Sequence, residues 1–128
     1  MVPERILLVE DNEDNLQLVR FLLERAGYVV LCGHNGREGL AMARQELPNL
    51  ILMDLSLPEI DGWEAAQELK ADPKTAQIPL LALTAHTLPG DRKRALALGF
   101  DGYISKPIDV AKFGDNISKA LLNNKKKE

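Results

Sequence analysis

Five side chains of this sequence have the types and positions to do chemistry together: Glu10, Asp11, Asp54, Thr84 and Lys106. Each stands at or just past the end of a short apolar run: "RILLVE" at 5–10, "LILMD" at 50–54, "IPLLALT" at 78–84 and "GYIS" at 102–105. If the strands ending at Glu10 and Asp54 are neighbours, three carboxylates converge, and like charges so close raise one another's pKa unless a cation compensates them. Carboxylate oxygens that leave room for several waters suit magnesium, Mg2+. A carboxylate beside a metal, a lysine and a hydroxyl suit in-line phosphoryl transfer, which needs positioning and charge neutralisation more than covalent work. Asp54 is then the candidate nucleophile, becoming an aspartyl phosphate. Lys106 and the metal would hold phosphoryl oxygens, and the Thr84 hydroxyl would donate a hydrogen bond to another. No histidine or further carboxylate is placed as a strong general base, so hydrolysis of the acyl phosphate is expected to be slow.

Taken singly, each of these residues has a plainer reading. Glu10 and Asp11 suit a helix cap, Asp54 a turn, Thr84 a strand with a satisfied hydroxyl, and Lys106 a solvated charge. Their joint placement on one edge of one sheet is what favours a site.

The elements that must position them follow from periodicity. Besides the four runs above, "YVVLC" at 28–32 has strand length, and runs without alternation suit strands covered on both faces. Segments of helical period lie between them, at about 13–26, 36–46, 62–71, 90–98 and 109–122. In the first, Leu18, Val19, Leu22, Leu23 and Ala26 share an arc, and Gly27 follows where a left-handed cap is wanted. In the last, Val110, Phe113, Ile117 and Leu121 recur at three and four, with Asp109 placed to cap the start. Pro48 closes the second helix and "DP" at 72–73 the third. Strict alternation of five strands and five helices predicts an α/β fold: an open, doubly wound parallel sheet with right-handed crossovers. In such sheets function gathers at the carboxyl ends of the strands, beside the switch point.

Composition narrows the classes. The chain has 128 residues, the length of one domain, and its 45% hydrophobic and 27% charged content are those of an ordinary globular protein. No apolar run approaches the ~18 residues of a membrane span. Nor does "MVPERILLVEDN" read as a secretory signal, so a cytoplasmic location is expected. A net charge of -3 gives no electrostatic case for nucleic-acid binding, and no DNA-binding region is expected. The basic run "KKK" at 125–127 reads as a solvated tail, Cys32 as a small buried hydrophobe, and His34 as a surface loop residue.

With these residues in place, the chain resembles the receiver domains of bacterial two-component response regulators, the CheY-like superfamily. The blocks "ILLVEDNEDN", "LILMDLSLPEIDGWE", "IPLLALTA" and "GYISKP" occur in the family order, with fitting intervals from Asp54 to Thr84 and from Thr84 to Lys106. The wording "VEDN", "ILMD", "LPE" and "YISKPI" is similar to that of stand-alone, DivK-like cell-cycle receivers. The resemblance implies a flavodoxin-like sheet of order 2-1-3-4-5, a receiver domain over 1–122 and a charged tail at 123–128. It makes Asp54 the phosphoacceptor, and Glu10, Asp11, Asp54 and the backbone carbonyl of Ser56 the ligands of Mg2+, with Mn2+ as a substitute. Glu10 stands where many members have Asp, a longer side chain that can reach a metal through water. Thr84 and Tyr103 become the switch pair, Thr84 moving toward the phosphoryl group while Tyr103 turns inward; taken alone, Tyr103 is half-buried packing. Lys106 becomes the phosphate-binding lysine, with a cis bond to Pro107. Pro58 and Gly62 shape the loop beside Asp54, and His86 either influences water access or is a plain loop residue.

The implied partners are a histidine kinase or histidine phosphotransfer protein and an unspecified downstream protein. Leu16 and Phe21, at the edges of the first helix's buried arc, are candidates for partner docking. The chain is expected to be a monomer, or a weak dimer through the face of helix 4, strand 5 and helix 5. Two other readings compete. One is a receiver module excised from a hybrid histidine kinase or multidomain regulator. The other is a magnesium-dependent phosphohydrolase with an Asp nucleophile, which wants a second carboxylate two residues on, where this sequence has Ser56.

Overall fold

The structure, a computed structural model, describes residues 3–55, 62–84, 91–106 and 108–126, with the side chains at 62, 91, 92 and 123–126 outside that description. Strands and helices alternate as expected: β1 (Arg5–Val9), α1 (Glu13–Arg25), β2 (Val29–Gly33), α2 (Gly36–Glu46), β3 (Leu50–Asp54), α3 (Gly62–Ala71), β4 (Leu80–Thr84), α4 (Asp91–Ala97), β5 (Gly102–Ser105) and α5 (Val110–Lys126). All the pairings are parallel, and the sheet order is β2-β1-β3-β4-β5. Chain order therefore reverses between β1 and β3, which places the switch point where Glu10 and Asp54 emerge.

Successive strand residues face opposite sides, so one sheet builds two cores. Leu7, Val9, Ile51, Met53, Leu80 and Ala82 pack under α2, α3 and α4, against Leu40, Ala43, Ala65, Ala66, Leu69 and Ala95. Ile6, Leu8, Leu50, Leu52, Leu81, Leu83 and Ile104 pack under α1 and α5, against Leu16, Val19, Leu23, Phe113, Ile117 and Leu121. This two-sided burial explains why β3 and β4 read as unbroken apolar runs, buried at every position.

Local chemistry sets the ends of the elements. The Asn12 side chain accepts from the Asn15 amide at 3.0 Å and caps α1. Asn35 caps α2 by accepting from the Glu38 amide at 2.8 Å, and Asp109 caps α5 by accepting from the Ala111 amide at 3.0 Å. Gly27, at φ 98°, ends α1 in the left-handed conformation that glycine adopts without strain. Leu47, not Pro48, makes the turn out of α2, at φ 46°.

Several expectations change. Leu18 lies outside the buried arc of α1, at 46% exposure, because the arc is Leu16, Val19 and Leu23. At about 100° per residue, Leu18 falls on the far side of the helix from Leu16. Leu16 is accordingly interior, only 2% exposed, and offers no side-chain surface to a partner, whereas Phe21 is 59% exposed. Val110 opens α5 with its side chain in solvent, outside the buried row of Phe113, Ile117 and Leu121. Finally, α5 continues to Lys126, so most of the expected tail is helical. Strand β2 also starts one residue late, because the Tyr28 amide donates to the Leu23 carbonyl at the end of α1.

Candidate functional site

The register of the central strands builds the site. Val9 pairs with Met53, so the next residues of both strands, Glu10 and Asp54, emerge side by side. Asp54 continues the Leu50–Leu52 face of β3 and is 4% exposed; Glu10 is fully buried. Asp11 follows at the surface. Because Asn12 caps α1, neither Glu10 nor Asp11 is consumed as the helix cap. Carboxylate oxygens of Glu10, Asp11 and Asp54 all lie within 4.8 Å of one another.

Lys106 reaches this cluster from the exit of β5. Its amide donates to the Thr84 carbonyl at 2.8 Å, extending the β4–β5 ladder by one step. Its Nζ donates to Glu10 Oε1 at 2.6 Å and to Asp54 Oδ2 at 3.2 Å. One ammonium thus serves two buried carboxylates, with the third acid close by, and the charge does not balance. Burial, then Asp54 beside it, push the Glu10 carboxyl up to about 7 despite the opposing effect of Lys106. For Lys106, burial favours the neutral amine, but the contacts with Glu10 and Asp54 outweigh it and raise the pKa above its ordinary value. Both shifts express one fact: the cluster lacks positive charge, which a proton or a metal ion would supply. Three carboxylates, two of them buried and all within reach of one ion, fit a hard divalent cation.

Thr84 is buried at the end of β4, on the same side of the sheet as Leu80 and Ala82. Tyr103 pairs with Ala82 across β4 and β5 and packs, half-buried, against the core on that side. Thr84 and Tyr103 are therefore neighbours on one face, two steps apart along adjacent strands. Ser56, Pro58, His86 and Pro107 lie outside the described residues. His34 is exposed and pairs with Glu38 at 3.0 Å, and Cys32 is partly covered on β2. Sequence reasoning missed the Lys106–Glu10 contact, which joins residues 96 apart in the chain. It also missed Arg94, whose guanidinium carbon lies 4.1 Å from the ring centroid of Trp63. Neither contact leaves a mark in local sequence.

Fold and site together define a doubly wound, flavodoxin-like α/β protein with an acidic pocket at its switch point. The family model described as "Response regulator receiver domain" matches residues 6–118. A polar-differentiation response regulator DivK from Brucella anthropi is 43% identical over 120 residues, covering 94% of this chain and 98% of that protein. The DivK protein of Brucella ovis matches to the same extent. Among solved structures, a CheY-like receiver domain protein from Methanospirillum hungatei superposes with a TM-score of 0.91 at 28% identity, covering 99% of this chain and all of that one. The receiver domain of the sensor histidine kinase PA1611 from Pseudomonas aeruginosa, solved with a magnesium ion coordinated in its active site cleft, gives 0.87 at 33% identity. That match covers 94% of this chain and 98% of that one. The chain belongs to the response regulator receiver family and is a module of two-component signal transduction. Receivers are in general switches, not turnover enzymes. Among the described residues, no helix is long and apolar enough to cross a membrane.

Proposed function

We propose that the chain is a phosphorylation switch in which Asp54 takes a phosphoryl group from a histidine kinase or a histidine phosphotransfer protein. The observation that carries this reading is the place of Asp54: held at the end of a buried strand, 3.2 Å from Lys106 and beside two more carboxylates. A carboxylate oxygen of Asp54 attacks the phosphorus of phosphohistidine, and the P–N bond breaks. Its electron pair returns to the imidazole nitrogen. Glu10, Asp11 and Asp54, with the Ser56 carbonyl, would hold Mg2+, and Mn2+ suits the same oxygen donors. When bound, the metal neutralises charge on the phosphoryl oxygens.

Lys106 has two carboxylate partners in this structure and can exchange one of them for a phosphoryl oxygen without moving its backbone. The Thr84 hydroxyl turns toward the phosphoryl group and Tyr103 fills the space it leaves, so that phosphorylation shifts a population between two arrangements. The surface of α4, β5 and α5 carries that shift to a downstream protein or to a second copy in a weak dimer. Phe21, exposed on α1, is the surviving candidate for docking the phosphoryl donor. Residues 1–122 form the receiver unit. Its acyl phosphate is expected to hydrolyse slowly, which makes it a signal with a lifetime.

Borohydride reduction after incubation with acetyl phosphate and Mg2+ tests the assignment, because it converts an aspartyl phosphate to homoserine. Peptide mapping should find homoserine at residue 54 alone. Homoserine at residue 11, or none anywhere in a protein that has gained phosphate, would overturn it.

A further inference from the structure

Helix α4 buries little among its described side chains. Of its described side chains, Ala95 alone is buried, while Lys93, Arg94, Leu96 and Ala97 are exposed. A single methyl group makes a weak anchor for a helix. The additional hold comes from α3. The Arg94 guanidinium carbon sits 4.1 Å from the centroid of the Trp63 ring, well inside the ~6 Å range of a cation–π contact. A second contact of Trp63 is aromatic. Phe100, buried in the turn after α4, meets Trp63 edge to face, with centroids 6.0 Å apart and planes at 83°. Trp63 therefore contacts two groups from the chain around α4, one before and one after Ala95 in sequence.

The location gives this grip its meaning. Trp63 is the second residue of α3, the helix that follows the strand ending at Asp54, and Arg94 lies in the helix that follows the strand ending at Thr84. The contact ties together the two chain segments that leave the site from β3 and β4. We infer that Arg94 and Trp63 form a latch that holds α4 in the arrangement seen here and so sets the balance between the two arrangements of the switch. This rests on the phosphorylation reading for its functional part and on geometry alone for its structural part. A contact made in one arrangement and lost in the other biases the equilibrium toward the first.

Arg94→Ala removes the latch and Arg94→Lys keeps the charge over the ring. In the unphosphorylated protein, the amides of Leu98 and Phe100, which donate to the carbonyls of Arg94 and Ala95, report opening of this segment. Their hydrogen exchange should quicken about three- to thirty-fold in Arg94→Ala, the range expected from a cation–π contact, and less in Arg94→Lys. Amides of Leu8 and Leu52 in the central strands should quicken no more than the loss of global stability in urea unfolding accounts for. Acrylamide quenching of Trp63, the chain's single tryptophan, should rise in Arg94→Ala. Exchange at Leu98 and Phe100 equal to that of the parent would overturn the latch.

The functional arm reads uptake from acetyl phosphate with Mg2+, which Arg94→Ala should speed by a similar factor. A variant that was merely less stable would not gain in this way. Faster exchange with unchanged or slower uptake would show that the contact holds the helix without biasing the switch, and would overturn that part. The exchange and quenching measurements need no phosphoryl group, so they decide the latch even if Asp54 is not the acceptor.

Discussion

Lys106 stands between two buried carboxylates that it cannot both neutralise, and the strained charge balance makes the pocket sensitive to protons and to metal. Glu10 carries the consequence. Its carboxyl titrates near 7 in the folded protein against an ordinary 4.5, so between these values the folded state holds a proton that the unfolded chain has released. The stability Glu10 contributes is therefore present below about pH 4.5 and lost as the pH rises through about 7. In metal-free buffer, urea unfolding should show a loss of roughly 3 kcal/mol at most across that window. Glu10→Gln should flatten it; an unchanged slope would contradict the assignment. Lys106, raised instead of lowered, keeps its charge throughout this range. The acids and the lysine were legible in the sequence because each follows a recognisable apolar run. Their pairing was not, because a long side chain's partner across the fold depends on register and on which neighbours compete for it.

Helices show the same division. The existence of α1 and its glycine stop were readable from period and cap, but its buried face was not. Two leucine-rich arcs compete on that helix, and packing against β1 and α5 selects Leu16, Val19 and Leu23 over the one containing Leu18. Close approach at α2 was equally invisible. A Cβ at Gly39 would lie 2.7 and 2.9 Å from the two methyl carbons of Val9, a stiff branched side chain with little room to yield. Gly39→Ala should therefore destabilise the protein by about 1–2 kcal/mol despite alanine's better helix propensity, as urea unfolding would show. Because Val9 precedes Glu10, the same change should weaken Mg2+ binding. At the other end of α2, Leu47 holds a left-handed conformation that costs a branched side chain about 1 kcal/mol. Leu47→Gly, half-exposed and before Pro48, should raise the thermal midpoint; a lower midpoint would show that its packing outweighs the strain.

For the molecule as a whole, topology does the assembling. Alternating strands and helices leave few arrangements once crossovers must be right-handed, so the sheet could be anticipated before any contact was known. The order β2-β1-β3-β4-β5 then brings Glu10, Asp54, Thr84 and Lys106 to one edge from four separate strands. The proposed balance between arrangements is a property of another kind, depending on small differences in contacts such as Arg94 on Trp63, and no pattern of residue types announces it. The central claim is that this edge delivers Asp54 as a phosphoryl acceptor. Intact mass after incubation with acetyl phosphate and Mg2+ tests it most directly. A single phosphoryl adduct is expected on the parent chain and none on Asp54→Asn; an adduct of equal extent on both proteins would contradict that role of Asp54.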